Sequence, residues 1–283
     1  MDFNREIIRS RQNRTVVEVC KLSDRKAREA SRLFRFDGIK LLEEAIKNNL
    51  DLQILLFRES NLLKLTDLLY EKFGKSVFDR VERILVLSDE LFDKISEEKS
   101  PEGVISVAKY IDKSQKIVTI YNSTYFFAMQ SERIVLLESV RDPSNIGAII
   151  RSAAAMGVDR LIISSDCADI YHPKAVRASM GTLFNQPIDR VSDLPSVIRG
   201  LRESGRRVFA AALDERAVQL GEFRLRANDC VVIGNEGHGL SSETVAACDH
   251  SVIIPMSDRA ESFNAAVAAS ILMWEFVRRP NHD

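Results

Sequence analysis

From Arg133 to the C-terminus, short apolar runs alternate with helical segments, and this rhythm restricts the second half of the chain to a layered α/β fold. Ile134-Val135-Leu136-Leu137 reads as a strand buried on both faces. Asp142-Pro143-Ser144 supplies a capping residue and a first-turn proline, opening a helix that runs to Met156 and stops at Gly157. Further strands are expected at 160–163, 207–211, 231–233 and 252–254, and further helices at 173–181 and 194–203. A last helix is expected from near Ser262, with Phe263, Val267, Ile271 and Trp274 on its buried stripe and Arg278, Arg279 and Pro280 ending it. Apolar strands that alternate with helices specify a largely parallel sheet covered on both faces.

The first part of the chain shows a looser version of the same pattern. Helices are expected at 39–48 and 62–73, with a short one opening near Ser88 or Asp89, and strands at 53–57, 83–87 and 103–107. A length of 283 residues fits two domains of roughly 100–200 residues each. The boundaries expected are 1–112 for a small α/β domain, 113–131 for a linker and 132–283 for the parallel-sheet domain. The polar bridge Asp112-Lys113-Ser114-Gln115-Lys116 and the aromatic patch at 121–127 carry no assignment.

The formal net charge is −1, which argues against a uniformly basic nucleic-acid binder. Residues 1–40, however, hold eleven Lys or Arg against six Asp or Glu. That local excess suits either phosphate binding or a solvated helix face. Cys20, Cys167, Cys230 and Cys248 form no C-x-x-C pair and read as reduced, buried thiols. The four histidines show no ligand spacing, so no metal is expected. The N-terminus is charged where a signal peptide needs an apolar run, and the nearly apolar stretch at 265–274 is far short of the ~20 residues that span a bilayer. A cytoplasmic protein without a membrane partner is the expectation.

Parallel sheets bind ligands at loops beyond the carboxyl ends of their strands, and three such loops hold unusual residues. The first is Asp142-Pro143-Ser144-Asn145-Ile146-Gly147-Ala148-Ile149-Ile150-Arg151. Gly147 and Arg151 share a helix face, leaving room beside a guanidinium near a helix start, which suits phosphate or carboxylate. The second is Gly234-Asn235-Glu236-Gly237-His238-Gly239, where three glycines allow close backbone approach. The order is not G-x-G-x-x-G, which counts against a dinucleotide cofactor. The third is Ile254-Pro255-Met256 followed by Glu261-Ser262-Phe263-Asn264, entering a helix of small residues. Taken singly, an exposed Arg, a tight turn and an N-cap Ser262 each explain one loop without function.

In this order and at these spacings the three loops resemble the motifs of the SpoU (TrmH-like) RNA 2′-O-ribose methyltransferases. N-x-G-x-x-x-R is matched by Asn145, Gly147 and Arg151, the glycine motif by residues 234–239, and I-P-M with S-L-N by Ile254-Pro255-Met256 and Ser262-Phe263-Asn264, Phe replacing Leu. Tyr171-His172-Pro173-Lys174-Ala175-Val176-Arg177 also resembles a family segment. Ser10-Arg11-Gln12-Asn13 and Phe34-Arg35-Phe36-Asp37-Gly38 resemble the family's substrate-binding domain, a small ribosomal-protein-like α/β fold.

The resemblance implies S-adenosylmethionine as cofactor, RNA (ribosomal RNA in particular) as partner, a homodimer with the active site near the subunit interface, and a deep trefoil knot in the C-terminal domain. It implies cofactor contacts from Gly234, Asn235, Gly237, Ile254, Met256 and Phe263. Catalysis would fall to Arg151, Asn145, Glu236, Ser262 and Asn264, and RNA contacts to Arg11, Asn13, Arg35, Lys174 and Arg177. Arg151 is the family's proposed base, but a guanidinium stays protonated up to a pH of ~12 or higher, so an organising role for Arg151 and a rival base in Glu236 both stand. A non-catalytic RNA-binding protein that kept the fold is the alternative reading.

Overall fold

The computed structural model describes residues 6–111, 115–118, 126, 129, 131–214, 217–226 and 228–278. Most of the polar bridge at 112–116, most of the aromatic patch at 121–127 and the chain end with Arg279 and Pro280 lie outside the described residues. The chain divides into two compact units, Met1–Ile111 with Asp169–Phe184, and Asp112–Ala168 with Asn185–Asp283.

The first unit is built on five strands: β1 (Ile7–Ile8), β2 (Leu33–Asp37), β3 (Leu52–Arg58), β4 (Arg83–Leu87) and β5 (Val104–Lys109). Their order is β1-β4-β3-β5-β2, with β5 antiparallel to both neighbours and β4 parallel to both of its own. Five helices accompany them: α1 (Arg14–Lys21), α2 (Arg25–Ser31), α3 (Ile39–Lys47), α4 (Leu62–Phe73) and α5 (Asp89–Ile95). Val16 and Val19 of α1 and Leu91 and Phe92 of α5 share a core with Ile54, Leu56, Ile105 and Val107. Removing such apolar surface from water is the main force holding the layer on the sheet.

The second unit carries a sheet of eight strands: β6 (Gln115–Val118), β7 (Ile134–Leu137), β8 (Arg160–Ser164), β9 (Ile188–Val191), β10 (Val208–Ala211), β11 (Val218–Gln219), β12 (Cys230–Ile233) and β13 (His250–Ile253). The order is β11-β13-β10-β12-β7-β8-β9-β6, and every neighbouring pair is parallel. Its helices are α6 (Pro143–Ala155), α8 (Leu194–Glu203), α9 (Ser242–Ala247) and α10 (Ala265–Trp274). β7 is buried at every position, as a central parallel strand covered on both faces must be. Val197, Ile198 and Leu201 of α8 pack with Ile134, Leu136, Ile162, Val208 and Val232.

Between β8 and β9 the chain leaves the second unit. Residues Asp169–Phe184, including α7 (Pro173–Ser179), pack within the first. There the buried Arg28 guanidinium donates to Asp169 Oδ2 at 2.6 Å, and Tyr171 stacks on Tyr110 with ring centroids 3.8 Å apart. Removing one partner of such a buried pair leaves an uncompensated charge, so the pair ties this excursion down firmly.

Two expectations need correction. Helix α10 begins at Ala265, not near Ser262, and Asn264 is its N-cap, accepting from the backbone N–H of Ala266 and Val267 at 3.0 and 3.4 Å. The stripe expected inside faces outward: Phe263, Val267 and Trp274 are 38, 45 and 53 % exposed. The buried face consists of Ala265, Ala269, Leu272 and Met273, and α10 lies against α6 with Ser270 Oγ donating to Ser152 Oγ at 2.8 Å. Small side chains meet along this contact, Ala266 and Ser270 on α10 and Ala148 and Ser152 on α6. The second correction concerns Arg35. It is 1 % exposed, and its guanidinium donates to Asp37 and to the Ile95 carbonyl, so it braces β2 and does not reach solvent.

The thiols are free, with Cys167 and Cys230 buried and Cys20 and Cys248 half-buried. Burial pushes Cys230 and Cys248 up to about 12, which keeps both protonated and unreactive at neutral pH. Among the described residues no helix is long and apolar enough to cross a membrane.

Candidate active site

The strand order of the second unit reverses at β7. From β7 the chain moves outward through β8 to β9, then crosses back to place β10, β12 and β13 on the other side. The loops at the carboxyl ends of β7, β10, β12 and β13 are therefore neighbours at a switch point, where open parallel sheets bind ligands.

A cavity of ≈ 670 Å³ opens among these loops. Gly234, Asn235, Gly237, Ile254, Met256 and Phe263, the six residues expected to hold a cofactor, all line it, together with Glu236 and Ser262. The glycine loop is pinched at its neck: Asn235 and Gly239 exchange backbone hydrogen bonds of 3.1 and 2.9 Å. A Cβ on Gly234 would lie 2.4 Å from the Gly239 carbonyl carbon, so a side chain there would fill the space the neck needs. The Asn235 side chain closes the loop from within, its Oδ1 accepting from the N–H groups of Gly237 and His238 at 2.8 and 3.2 Å.

Residues from all three sequence loops meet beside the cavity. Asp142 caps α6 by accepting from the N–H groups of Ser144 and Asn145 at 2.6 and 3.1 Å, which fixes Asn145 in the first turn. Asn145 Nδ2 donates to Glu236 Oε1, and Asn264 Nδ2 donates to Asn145 Oδ1 at 3.0 Å. Asn264 thus caps α10 with its oxygen and holds Asn145 with its nitrogen.

Arg151 stands apart from this chain of amides. It is exposed on α6, lines no part of the cavity, and no hydrogen bond or ion pair with the described residues engages its guanidinium. It lies one turn from Ala148, which borders an apolar face made with Met156, Val267, Ile271 and Trp274.

In the first unit Arg11 is exposed, while Asn13 caps α1 by accepting from the N–H groups of Thr15 and Val16. Lys174 and Arg177 are both exposed on α7. Arg177 lines a small recess with Asp37, Glu97 and Glu98.

Sequence reasoning missed the segment after β10. Ala211, Ala212, Leu213 and Asp214 line the cavity, as do His238 and Glu261. The signal was available, because β10 was recognised as a strand and its carboxyl end belongs with those of its neighbours. Among the described residues the lining includes Asp214, Glu236 and Glu261 but no Lys or Arg, which suits a cationic ligand with an extended apolar surface.

Residues 132–274, just over half of the chain, match the model of the SpoU rRNA Methylase family. The chain belongs to this family. Residues 13–106 match an MRM3-like substrate binding domain, so the SpoU methylase part is preceded by a second recognisable module. Across 94 % of its length the chain is 27 % identical to a 23S rRNA (guanosine-2′-O)-methyltransferase of Bacillus subtilis, covering 97 % of that protein. Two solved structures are similar over nearly the whole chain. An AdoMet-bound rRNA methyltransferase from Sinorhizobium meliloti superposes with a TM-score of 0.77 at 26 % identity, over 95 % of this chain and 96 % of that one. The SpoU methyltransferase AviRb from Streptomyces viridochromogenes, in complex with AdoMet, superposes with a TM-score of 0.73 at 27 % identity, over 93 % and 97 %.

Proposed function

We propose that this chain is an S-adenosylmethionine-dependent methyltransferase that modifies a ribose 2′-hydroxyl of ribosomal RNA and works as a homodimer. The observation that carries this reading is the convergence of Glu236, Asn145 and Asn264 at the mouth of a cavity lined by the glycine loop, Ile254, Met256 and Phe263. Relatives named as rRNA methyltransferases, and neighbours solved with AdoMet, support it. Residues 1–112 would bind the RNA and 132–283 would carry the chemistry, with 113–131 as the linker. The knot implied by the resemblance would run through the same cofactor loops.

The residues present fit the cofactor. Backbone groups of residues 234–239 offer polar contacts at close range, Ile254 and Phe263 offer apolar surface, and the acidic lining favours a cation. When bound, S-adenosylmethionine supplies a methyl group already activated by its sulfonium. The chain's own task is to position the 2′-hydroxyl and stabilise the charge that develops on its oxygen. Glu236 accepts from Asn145, which favours ordering the loop over proton abstraction. Arg151, unengaged among the described residues, would be available to meet substrate phosphate or the developing alkoxide. Its position beside the exposed α6–α10 face supports an active site completed across a dimer.

Incubating the protein with methyl-labelled AdoMet and ribosomal RNA, then digesting to nucleosides, should yield a labelled 2′-O-methyl nucleoside. RNA binding without label transfer would favour the non-catalytic reading. Gly234→Ala should weaken AdoMet binding at least ~10-fold by calorimetry, because overpacking of this kind costs about 1–3 kcal/mol. Unchanged affinity would show that the loop neck is not part of the binding surface.

A further inference from the structure

The two residues that follow β7, Glu138 and Ser139, belong to none of the three motifs, yet they hold both ends of the glycine loop. The Glu138 carboxylate accepts three hydrogen bonds from the segment leaving the loop: Ser241 N–H at 2.8 Å, Ser241 Oγ at 2.8 Å and Thr244 Oγ1 at 2.6 Å. Thr244 is fully buried, and Ser241 in turn caps α9 by accepting from the Thr244 N–H at 3.2 Å. One carboxylate thereby fixes the loop's exit and the start of the helix after it.

Ser139 holds the entry. Its carbonyl accepts from Asn235 Nδ2 at 2.8 Å, and Asn235 is the residue whose Oδ1 folds the loop onto itself. Ser139 sits at φ 55°, a left-handed conformation that a non-glycine residue adopts only when its surroundings impose it. The imposing contacts are visible. Its N–H donates to Ser164 Oγ at 2.9 Å and its Oγ donates to Asp166 Oδ2 at 2.5 Å. Ser164 Oγ also donates to Asp166, at 2.6 Å, and Arg141 lies 3.5 Å from the same carboxylate. Burial pushes Asp166 up, but the hydrogen bonds from Ser139 and Ser164 outweigh it and leave its pKa below the usual value, so the post stays ionised at neutral pH.

We infer that Glu138 is a positioning residue for methyl transfer, clamping the exit of the 234–240 loop against the end of β7 while Ser139 clamps its entry. The loop tip carries Glu236, so the clamp also sets the distance from Glu236 to Asn145. A free glycine-rich loop would have to be ordered at each binding event, and a preformed one does not. This inference rests on the proposed function only for its consequence for the cofactor; the clamping itself does not depend on it.

The test uses the full chain and the variants Glu138→Gln and Glu138→Ala. Hydrogen exchange without any cofactor should show peptides covering 234–241 exchanging at least ~10-fold faster in Glu138→Ala, with Glu138→Gln between it and wild type. Peptides from β7, β8 and β12 should keep wild-type protection. AdoMet affinity by calorimetry should fall in the same order, while RNA affinity in a filter assay stays unchanged. Wild-type loop exchange in Glu138→Ala overturns the inference, and so does a loss of protection spread over the whole sheet. Loop exchange that rises as expected, in a protein that binds no AdoMet even as wild type, upholds the clamp and overturns the functional reading alone.

Discussion

Replacing Arg151 with Ala is expected to lower methyl transfer by about 10²–10³-fold while leaving AdoMet affinity within about 2-fold of wild type. The expectation follows from where the residue stands. Arg151 lines no part of the cavity, so calorimetry should register little, whereas its unengaged guanidinium is available to charge that develops during the reaction. The conservative change separates two roles. If Arg151 organises charge, Arg151→Lys keeps the charge but loses the planar fork, and the rate should fall by about 10-fold at every pH between about 7 and 9. If it were the base, a lysine would titrate within reach of that range, and the variant's rate would climb with pH more steeply than that of wild type. AdoMet affinity falling together with activity in Arg151→Ala would reject both roles and place the residue in the cofactor site.

How much of this was legible in the sequence depended on whether the information was local. The glycine loop, the Asp142 cap and the continuous apolar strands declare themselves through backbone requirements that neighbours cannot override. β7 and α8 accordingly fall where periodicity puts them, at Ile134–Leu137 and Leu194–Glu203. Arg35 shows the opposite case. It alternates with Phe34 and Phe36, which suggests an outward charge, yet β2 is covered on both faces and the charge is answered inside by Asp37. Likewise α10 is apolar nearly all round, so no period separates its inner face from its outer one. Val267 and Trp274 stand outward while Leu272 and Met273 are buried, a division that packing sets and no period announces. The packing of residues 169–184 with the first unit is a long-range arrangement that no window along the chain reports. At the site, the motif residues could be named but not their connection. That Asn264 reaches Asn145, and Asn145 reaches Glu236, depends on a sheet order that places sequence-distant loops side by side.

The outward stripe of α10 leads to the second large effect. Val267 and Trp274 are 45 and 53 % exposed, and with Ala148, Met156 and Ile271 they form one apolar face shared by α6 and α10. Exposed apolar surface of this kind, one helical turn from a guanidinium that has no partner among the described residues, fits a contact with a second copy of the protein. If the proposed dimer forms through this face, the double substitution Val267→Asp with Trp274→Ala should convert it to monomer in sedimentation analysis. An unpaired charge buried at such a contact costs several kcal/mol, and every 1.4 kcal/mol is about a 10-fold loss of association. Both positions are exposed in the single chain, so the variant's folding and melting temperature should change little. Methyl transfer should fall with dimer content, because Arg151 lies one helical turn from Ala148 of that face, and it should recover as protein concentration is raised. A variant that is monomeric yet fully active would remove the partner subunit from the active site, and a monomeric wild type would remove the dimer itself.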